Sequence, residues 1–299
     1  MPVKSVNLMS LMERFHSEEA CREVLAELRW PDGVKCPRCQ GDKHAYDSGR
    51  FVWDCYSCGY QFSAMAGTIF HDTKLPLSKW FVAVLLMVEA KKGISANQMK
   101  RTIGVSYKTA WYLCHRIRAA MKDAAAPLLS GIVEVDETYV GGKVRGKGRG
   151  YRDNKTIVLG AIERGGGVRL KVEKRNDRKT LHAFIKAVVD DGAVAIHTDE
   201  WEAYKGIADA NTRHETVNHK AEEWVRADVH TNTVEGVWSL FKRSIVGSYH
   251  QLSEKHMDAY LDEMAFRFNN RSNPYLFRDT LIHLVRAQVL PYSELTAAG

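Results

Sequence analysis

The segment GIVEVDETYV, residues 131–140, contains the acid around which the rest of the chain is arranged. Apolar and polar residues alternate along it, which is the pattern of a β-strand. The alternation places Glu134 and Asp136 on one face and Val133 and Val135 on the other. A carboxylate within an apolar strand is costly unless it is paired or bound to a metal ion. Asp136 is therefore the first candidate for a catalytic, metal-binding residue.

The segments that follow predict a mixed sheet with helices on both of its faces. Strands are expected over 156–163, 168–174, 193–197 and 215–217, and helices over 179–189, 201–208, 233–244, 253–269 and 276–289. Three strands followed by a helix, another strand and late helices are typical of an α/β domain. We therefore predict a ribonuclease-H-like mixed α/β catalytic domain over 131–290.

Two more acids are placed where they can meet Asp136. Asp199 comes at the carboxyl edge of a buried strand, and Glu235 opens the helix predicted over 233–244. Lys242 follows Glu235 by seven residues, which is about two turns along the same helix face. Carboxylates on the first strand, the fourth strand and a late helix can converge on one edge of such a sheet.

The spacing Asp-x62-Asp-x35-Glu indicates metal-dependent chemistry on a phosphodiester. Hard oxygen ligands with room for water suit Mg²⁺ or Mn²⁺. Two such ions roughly 3.5 to 4 Å apart activate the attacking oxygen and stabilise the leaving oxygen of an in-line displacement. Taken singly, Asp136 could end a strand, Asp199 could cap the next helix and Glu235 could be solvated. The prediction therefore depends on all three acids together.

Four of the six cysteines form two close pairs with the spacing Cys-x2-Cys-x15-Cys-x2-Cys. Two residues between thiolates allow a tight turn to aim both sulfurs at one ion, and two such turns complete a tetrahedral zinc site with no open position. Two disulfides, or a redox Cys-x-x-Cys pair, are the alternatives. We predict a zinc ribbon over 31–72 in which structural Zn²⁺ is bound by Cys36, Cys39, Cys55 and Cys58.

Residues 73–126 have the periodicity of a helix-turn-helix DNA-binding region. Helices are expected over 78–91, 95–103 and 107–121, and Ser106 can cap the last of them. That last helix can enter the major groove of DNA, so we assign Lys108 and Arg116 on its outer face as DNA-binding residues. A purely structural three-helix bundle has the same pattern and is the alternative.

A glycine-rich basic loop directly follows the Asp136 strand. Residues 141–155 contain six basic residues, one acid and five glycines. Such a segment can be an ordinary solvated loop, or it can clamp DNA phosphates in a salt-dependent and sequence-independent way. The predicted phosphate contacts are Lys143, Arg145, Lys147, Arg149 and Arg152.

The composition fits a folded protein with a polyanionic partner. With 45% hydrophobic residues in 299, the chain can form real cores in about two domains, which excludes a disordered protein. The net charge of +7 favours a nucleic-acid partner, although a solvated basic surface gives the same total. The chain has neither a secretory apolar region nor the ~20-residue apolar span of a membrane helix. We therefore expect a cytoplasmic, nucleoid-associated protein with no membrane partner, in which helices over 1–30 precede the zinc ribbon.

Three stretches carry a resemblance to a known family: VDETYVGGK at 135–143, HTDEWEAY at 197–204, and a long stretch at 230–271 that begins HTNTVEGVWSLFKRS. They resemble bacterial insertion-sequence transposases of the DDE class, in the group related to Merlin elements, and the N-terminal zinc ribbon is similar too. The resemblance implies DNA transposition. It also implies that Asp136, Asp199 and Glu235 form the metal-binding triad and that Lys242 contacts DNA beside it.

The residues and the resemblance together predict a DNA transposase. It would hydrolyse the DNA at the element ends and then use each freed 3′-OH to attack target DNA. Pairing two ends implies a homodimer or a higher assembly on DNA. A nuclease or resolvase of the same fold would cut without joining. A zinc-ribbon and helix-turn-helix regulator would bind DNA without chemistry, and the three acids argue against it.

Overall fold

The computed structural model describes residues 6–123, 125–142, 145–146, 151, 154–208, 212–217 and 228–297. Within them the helices are α1 (Leu8–Arg14), α2 (Glu18–Arg29), α3 (Leu77–Glu89), α4 (Ala96–Ile103), α5 (Tyr107–Met121), α6 (Arg178–Val188), α7 (Asn232–Ser244), α8 (Glu254–Asn269), α9 (Leu276–Arg286) and α10 (Tyr292–Thr296). The strands are β1 (His44–Asp47), β2 (Val52–Cys55), β3 (Gln61–Phe62), β4 (Ile132–Val140), β5 (Thr156–Glu163), β6 (Val168–Glu173), β7 (Ala195–Asp199) and β8 (Arg213–Val217).

The chain divides into two compact units. The first contains Met1–Lys122 and Ser272–Gly299, and the second contains Asp123–Arg271. The sequence predicted that the catalytic domain extends to residue 290, so this boundary differs from the prediction. The difference has a physical reason, because the Phe277 ring of α9 contacts the Phe15 and Phe81 rings with centroids 6.3 and 5.9 Å apart. The last helices thus complete the core of the first unit.

In the first unit, two short helices lead into a three-stranded ribbon. Ser17 separates the helices because its side chain accepts the N–H of Ala20 and caps α2. The ribbon strands pair antiparallel in the order β1-β2-β3. Its small core is aromatic, with Trp53 packed edge-on against Trp30 at 5.2 Å and stacked on Phe62 at 6.0 Å between ring centroids.

A short turn joins helices α4 and α5. Gly104 ends α4 in the left-handed conformation, with φ of 62°. Two residues later Ser106 caps α5, because its side chain accepts the N–H of Thr109. The turn between the helices is therefore three residues long, as the sequence predicted.

The second unit contains one five-stranded mixed sheet in the order β6-β5-β4-β7-β8. Strand β5 pairs antiparallel with both β4 and β6. On the other side of β4, strand β7 pairs parallel with both β4 and β8. Helix α6 packs on one face with Val133 and Val135, while α7 and α8 pack on the other face with Val158 and Ile162. This arrangement confirms the predicted multidomain α/β class with a mixed sheet.

Two local features of the second unit differ from the sequence prediction. The predicted helix over 201–208 is a single 3₁₀ turn at Glu202–Tyr204. After α7 the chain continues into a π-helical turn at Ile245–Tyr249 that the periodicity did not indicate. No helix among the residues that the structure describes is long and apolar enough to cross a membrane.

Candidate active site

Asp136 and Asp199 lie beside each other on neighbouring strands at the centre of the sheet. β4 and β7 pair in parallel with Glu134 opposite His197. Asp136 and Asp199 each come two residues after that last pair, and the charge of Asp199 acts on Asp136. The sheet therefore brings together two acids that are far apart in the sequence, at the edge that the sequence predicted.

Helix α7 brings Glu235 and Lys242 to the same place. Both residues line an open cavity of about 640 Å³, and Asp136 lines it as well. The Glu235 carboxylate is exposed and accepts a hydrogen bond from Oγ1 of Thr231 at 3.3 Å. Lys242 and the adjacent Arg243 are also exposed, so the cavity has a cationic rim that can receive a phosphate. Arg243 was not among the residues predicted from the sequence.

The Asp136 carboxylate is held in a half-buried position that disfavours its charge. Burial raises the pKa of Asp136 to about 6, and the charges of Asp199 and Glu235 act in the same direction. A hydrogen bond from the Trp238 indole, 2.8 Å from Nε1 to Oδ2, partly offsets this. Asp199 does not line the cavity, but its charge still reaches Asp136. Asp136 is thus the acid that interacts with both of the others.

The donor set at this edge suits a hard divalent cation. Besides burial, the charges of Asp199 and Glu235 raise the pKa of Asp136. A bound divalent cation would offset this repulsion and stabilise all three ionised carboxylates. They do not form a closed cage. Among the described residues, only the four ribbon cysteines offer three or more ligand atoms that all lie within 4.8 Å of one another. The acids therefore fit Mg²⁺ or Mn²⁺ in an open site with room for water and substrate.

Neighbouring groups fix the side chains around these acids. Oδ1 of Asp199 accepts the backbone N–H of Trp201, the residue that precedes the 3₁₀ turn, at 3.1 Å. Glu137 points away from Asp136 along the strand alternation and accepts a hydrogen bond from the Tyr204 hydroxyl at 2.7 Å. Only one of the two consecutive acids on β4 is therefore directed toward α7.

Gly160 makes room for the tryptophan that contacts Asp136. It pairs directly with Asp136 across β4 and β5. A Cβ atom at this position would lie 2.5 Å from Cη2 and 2.6 Å from Cζ2 of Trp238. Trp238 is buried, and its hydrogen bond to Asp136 was not predicted from the sequence. A glycine inside a strand was the available signal, because it often marks a close approach.

We expect Gly160→Ala to displace the Trp238 ring and break its hydrogen bond to Asp136. Overpacking of this kind destabilises a protein by about 1–3 kcal/mol, and the displaced Asp136 should slow DNA cleavage as well. Thermal unfolding and a cleavage assay would measure the two effects. Trp238→Phe is the companion variant, because it removes the N–H donor and keeps most of the packing. Wild-type cleavage by Gly160→Ala would contradict this account of the glycine.

The four ribbon cysteines form one cluster. Sγ of Cys36 lies 3.7 Å from Sγ of Cys58, and Sγ of Cys39 lies 3.5 Å from Sγ of Cys55. A tetrahedral zinc site with Zn–S bonds of about 2.3 Å has sulfurs about 3.8 Å apart. None of the six cysteines forms a disulfide. This geometry supports the predicted structural Zn²⁺ and excludes the two-disulfide alternative.

On α5 the structure corrects one predicted DNA contact. Arg116 is buried, and its guanidinium donates hydrogen bonds to the carbonyl oxygens of Ile69 and His71. It therefore holds the loop before α3, and its assignment as a DNA-binding residue was wrong. Lys108 is exposed in the first turn of the helix, with Nζ 4.4 Å from the centroid of the Tyr292 ring. The second half of α5 is mostly buried, so the exposed surface of the helix lies mainly in its first turn.

The basic loop lies mainly outside the described residues. Of its predicted phosphate contacts, Arg145 is described and exposed. Four others lie outside the described part of the chain, namely Lys143, Lys147, Arg149 and Arg152. At the base of the loop, Nδ2 of Asn154 donates to the carbonyl of Gly142 at 2.9 Å.

Comparison with known proteins gives matches over both units. Residues 128–269 match the ISXO2-like transposase domain, and residues 16–61 match the transposase zinc-ribbon domain. An uncharacterized protein in transposable element ISH50 of Halobacterium salinarum is 31% identical over 279 residues, which cover 87% of this chain and 93% of that protein.

Two solved structures show a distant similarity. One is a chain of the simian T-cell lymphotropic virus intasome in complex with PP2A regulatory subunit B56 gamma. It has 14% identity and a TM-score of 0.30, and the match covers 56% of this chain and 63% of that chain. The other is a chain of a pre-cleavage Mos1 transpososome, with 11% identity and a TM-score of 0.29 over 69% of this chain and 75% of that chain.

Proposed function

The chain belongs to the ISXO2-like transposase family of insertion sequences, and from this we propose how its acids cut and join DNA. A DNA transposase acts on the ends of its own element and on a target. We propose that Asp136, Asp199 and Glu235 hold the divalent cations of a DDE mechanism. The observation that carries this proposal is the position of Asp136, which lies beside Asp199 and shares a cavity with Glu235.

The two chemical steps use the same site. In the first, a water oxygen attacks the phosphorus at the element end, and the bond to the 3′ oxygen breaks to leave a free 3′-OH. In the second, that 3′-OH attacks a target phosphodiester, and the target's own 3′ oxygen leaves. Mg²⁺ or Mn²⁺, when bound, activates the attacking oxygen and stabilises the leaving one. Both steps are in-line displacements, so no covalent enzyme intermediate is needed.

The protein's own residues orient these reactions. Trp238 holds Asp136 through its indole N–H, and Thr231 holds Glu235 through its hydroxyl. Lys242 and Arg243 lie on the rim of the cavity, where cationic side chains can bind the phosphates that flank the scissile bond. Trp238 and Thr231 would orient the metal-binding acids, and Lys242 and Arg243 would orient the DNA, which reduces the entropic cost of reaching the reactive geometry.

The test of this function separates cutting from joining. Purified protein is incubated with labelled element ends, a target plasmid and Mg²⁺ or Mn²⁺. Joined products that require the cation and the element end support the proposal. Cutting without joining would instead indicate a nuclease or resolvase, and end binding without cation-dependent chemistry would indicate a regulator.

We also propose two separate DNA contacts outside the catalytic site. The exposed first turn of α5, with Tyr107 and Lys108, is the part of a helix-turn-helix that contacts base edges in the major groove. The basic loop would bind phosphates without reading sequence. Action on chromosomal DNA would place the protein at the nucleoid, and pairing of two element ends would require a homodimer or a larger assembly.

The loop contacts should appear in the salt dependence of DNA binding. We expect replacement of the five predicted loop contacts by glutamine to reduce the slope of log affinity against log salt by about 4 to 5, since each phosphate contact contributes about 0.9. Titrations of a labelled duplex at several salt concentrations would measure the slope. Lys171→Gln with Lys205→Gln is the control, because both lysines pair with glutamates on the surface. An unchanged slope in the loop variant would show that the loop is merely solvated.

A further inference from the structure

A fully buried carboxylate lies two residues before Asp136 on β4. Glu134 is on the same strand face as Asp136 and has 0% exposure. A buried charge is costly unless it is paired and hydrogen-bonded. Here the charge is paired, because Nε of Arg164 lies 2.7 Å from Oε1 of Glu134. The proposed chemistry uses neither residue.

Most of the remaining partners of Glu134 belong to the start of α7. Its Oε2 accepts the backbone N–H groups of Thr233 and Val234 at 2.8 and 3.1 Å. Its Oε1 accepts the hydroxyl of Thr233 at 2.8 Å. The N-cap residue of α7 makes no side-chain capping hydrogen bond of its own. The Glu134 carboxylate, which comes from the sheet, therefore caps this helix. It accepts backbone N–H groups that have no acceptor within the helix, and its negative charge interacts favourably with the helix dipole.

The capped residues immediately precede the third acid. Val234 is followed by Glu235, so the distance between β4 and the first turn of α7 fixes the distance between Asp136 and Glu235. Glu134 bridges β4 and α7 directly. Its backbone lies two residues before Asp136, and its carboxylate binds the two residues that precede Glu235.

Arg164 extends the same cluster toward the second acid. Its NH2 group lies 3.2 Å from Nδ1 of His197, which is two residues before Asp199 on β7. The same guanidinium donates to the carbonyl oxygens of Asp228 and His230 at 2.7 and 3.0 Å, in the segment that leads into α7. The ion pair between buried Glu134 and partly buried Arg164 thus contacts the chain just before each of the three acids.

We propose that Glu134 is a positioning residue, which with Arg164 sets the three acids at the spacing that binds the catalytic cations. The inference rests on the proposed function of those acids. Buried ion pairs contribute little net stability compared with apolar residues of similar volume. A role in geometry therefore explains the pair better than a role in stability. Groups that orient metal ligands typically change metal affinity or activity by 10- to 100-fold when they are replaced.

Glu134→Gln tests the proposal, because it keeps the shape of the side chain and replaces one acceptor oxygen with an NH₂ group. We expect end cleavage to fall by about 10- to 100-fold with little change in the affinity for element ends. We expect hydrogen exchange of the Thr233 and Val234 amides to accelerate in the protein without DNA. The Mn²⁺ concentration needed to raise the melting temperature should increase by a similar factor.

The matched control is Glu263→Gln. Glu263 is also fully buried and also pairs with an arginine, with NH1 of Arg267 at 2.6 Å, but the pair lies within α8. This variant should lose stability and keep both the Mn²⁺ requirement and the cleavage rate of the folded protein. If the two variants lose activity only in proportion to their loss of stability, Glu134 is merely structural and the inference is wrong.

Thr233→Val decides the matter if Glu134→Gln does not fold. It removes only the hydroxyl donor to Glu134. As for Glu134→Gln, we expect the Mn²⁺ concentration needed to raise the melting temperature to increase, here by several-fold. An unchanged Mn²⁺ requirement would overturn the inference. Failure of the proposed function is distinguishable, because in that case Mn²⁺ would not stabilise the wild-type protein at all.

Discussion

Asp136→Asn is expected to reduce both cutting and joining of element ends by at least about a thousandfold. The loss follows because an amide is a poor ligand for a hard cation. A catalytic metal lowers the activation free energy by several kcal/mol, and each 1.4 kcal/mol or so corresponds to a tenfold change in rate. The folded protein should not become less stable. Since the pKa of Asp136 is raised from 3.8 to about 6, the ionised carboxylate disfavours the folded state above pH 6, and asparagine removes that charge.

The measurement pairs the joining assay with thermal unfolding at pH 8 without added Mg²⁺ or Mn²⁺. We expect the melting temperature of Asp136→Asn to equal or exceed that of the wild type, so that lost activity cannot be attributed to unfolding. Asp191→Asn is the control, because Asp191 is an exposed acid that precedes the start of β7, whereas Asp199 lies at its end. Joining by Asp136→Asn at the wild-type rate would rule out the proposed triad.

Loss of the zinc site is expected to unfold the ribbon. Zinc binding contributes roughly 10–16 kcal/mol in small zinc domains, while whole domains are stable by only about 5–15 kcal/mol. Cys55→Ser should therefore lose the bound zinc, expose Trp53 and shift tryptophan emission to longer wavelength. We also expect binding of element ends to fall, because the ribbon is part of the unit that contains α4 and α5.

Zinc content measured by atomic emission, together with the fluorescence spectrum, would check this prediction. Cys114→Ala is the control, because Cys114 is buried in α5 and lies outside the four-cysteine cluster. That variant should retain the zinc and the emission of the wild type. Full zinc occupancy in Cys55→Ser would mean that these four cysteines are not the ligand set.

Much of the fold could be predicted because local patterns and tertiary structure agree. A continuous apolar run placed β5 over 156–163 as observed, and Ser17 and Ser106 start helices through the capping bonds expected of serine. Spacing alone identified the four-cysteine cluster, because both pairs lie on tight turns.

The parts that failed depend on contacts between distant segments. Helical periodicity separates an apolar face from a polar one, but it cannot show that Arg116 turns inward to satisfy two carbonyl groups of a preceding loop. Glu134 was placed on the correct strand face and given no role, because its partners are 30 to 100 residues away. The end of the catalytic unit was missed because Phe277 belongs by packing to a core that begins with Phe15.

The discontinuous first unit has a consequence for synthesis on the ribosome. All of Asp123–Arg271 emerges before the helices that complete the core around Phe15 and Phe81. The second unit can therefore fold while the N-terminal part of the chain still lacks its last packing partners. A gene product truncated after residue 271 would contain Asp136, Asp199, Glu235 and the four ribbon cysteines, yet its first unit would be left with an open apolar core.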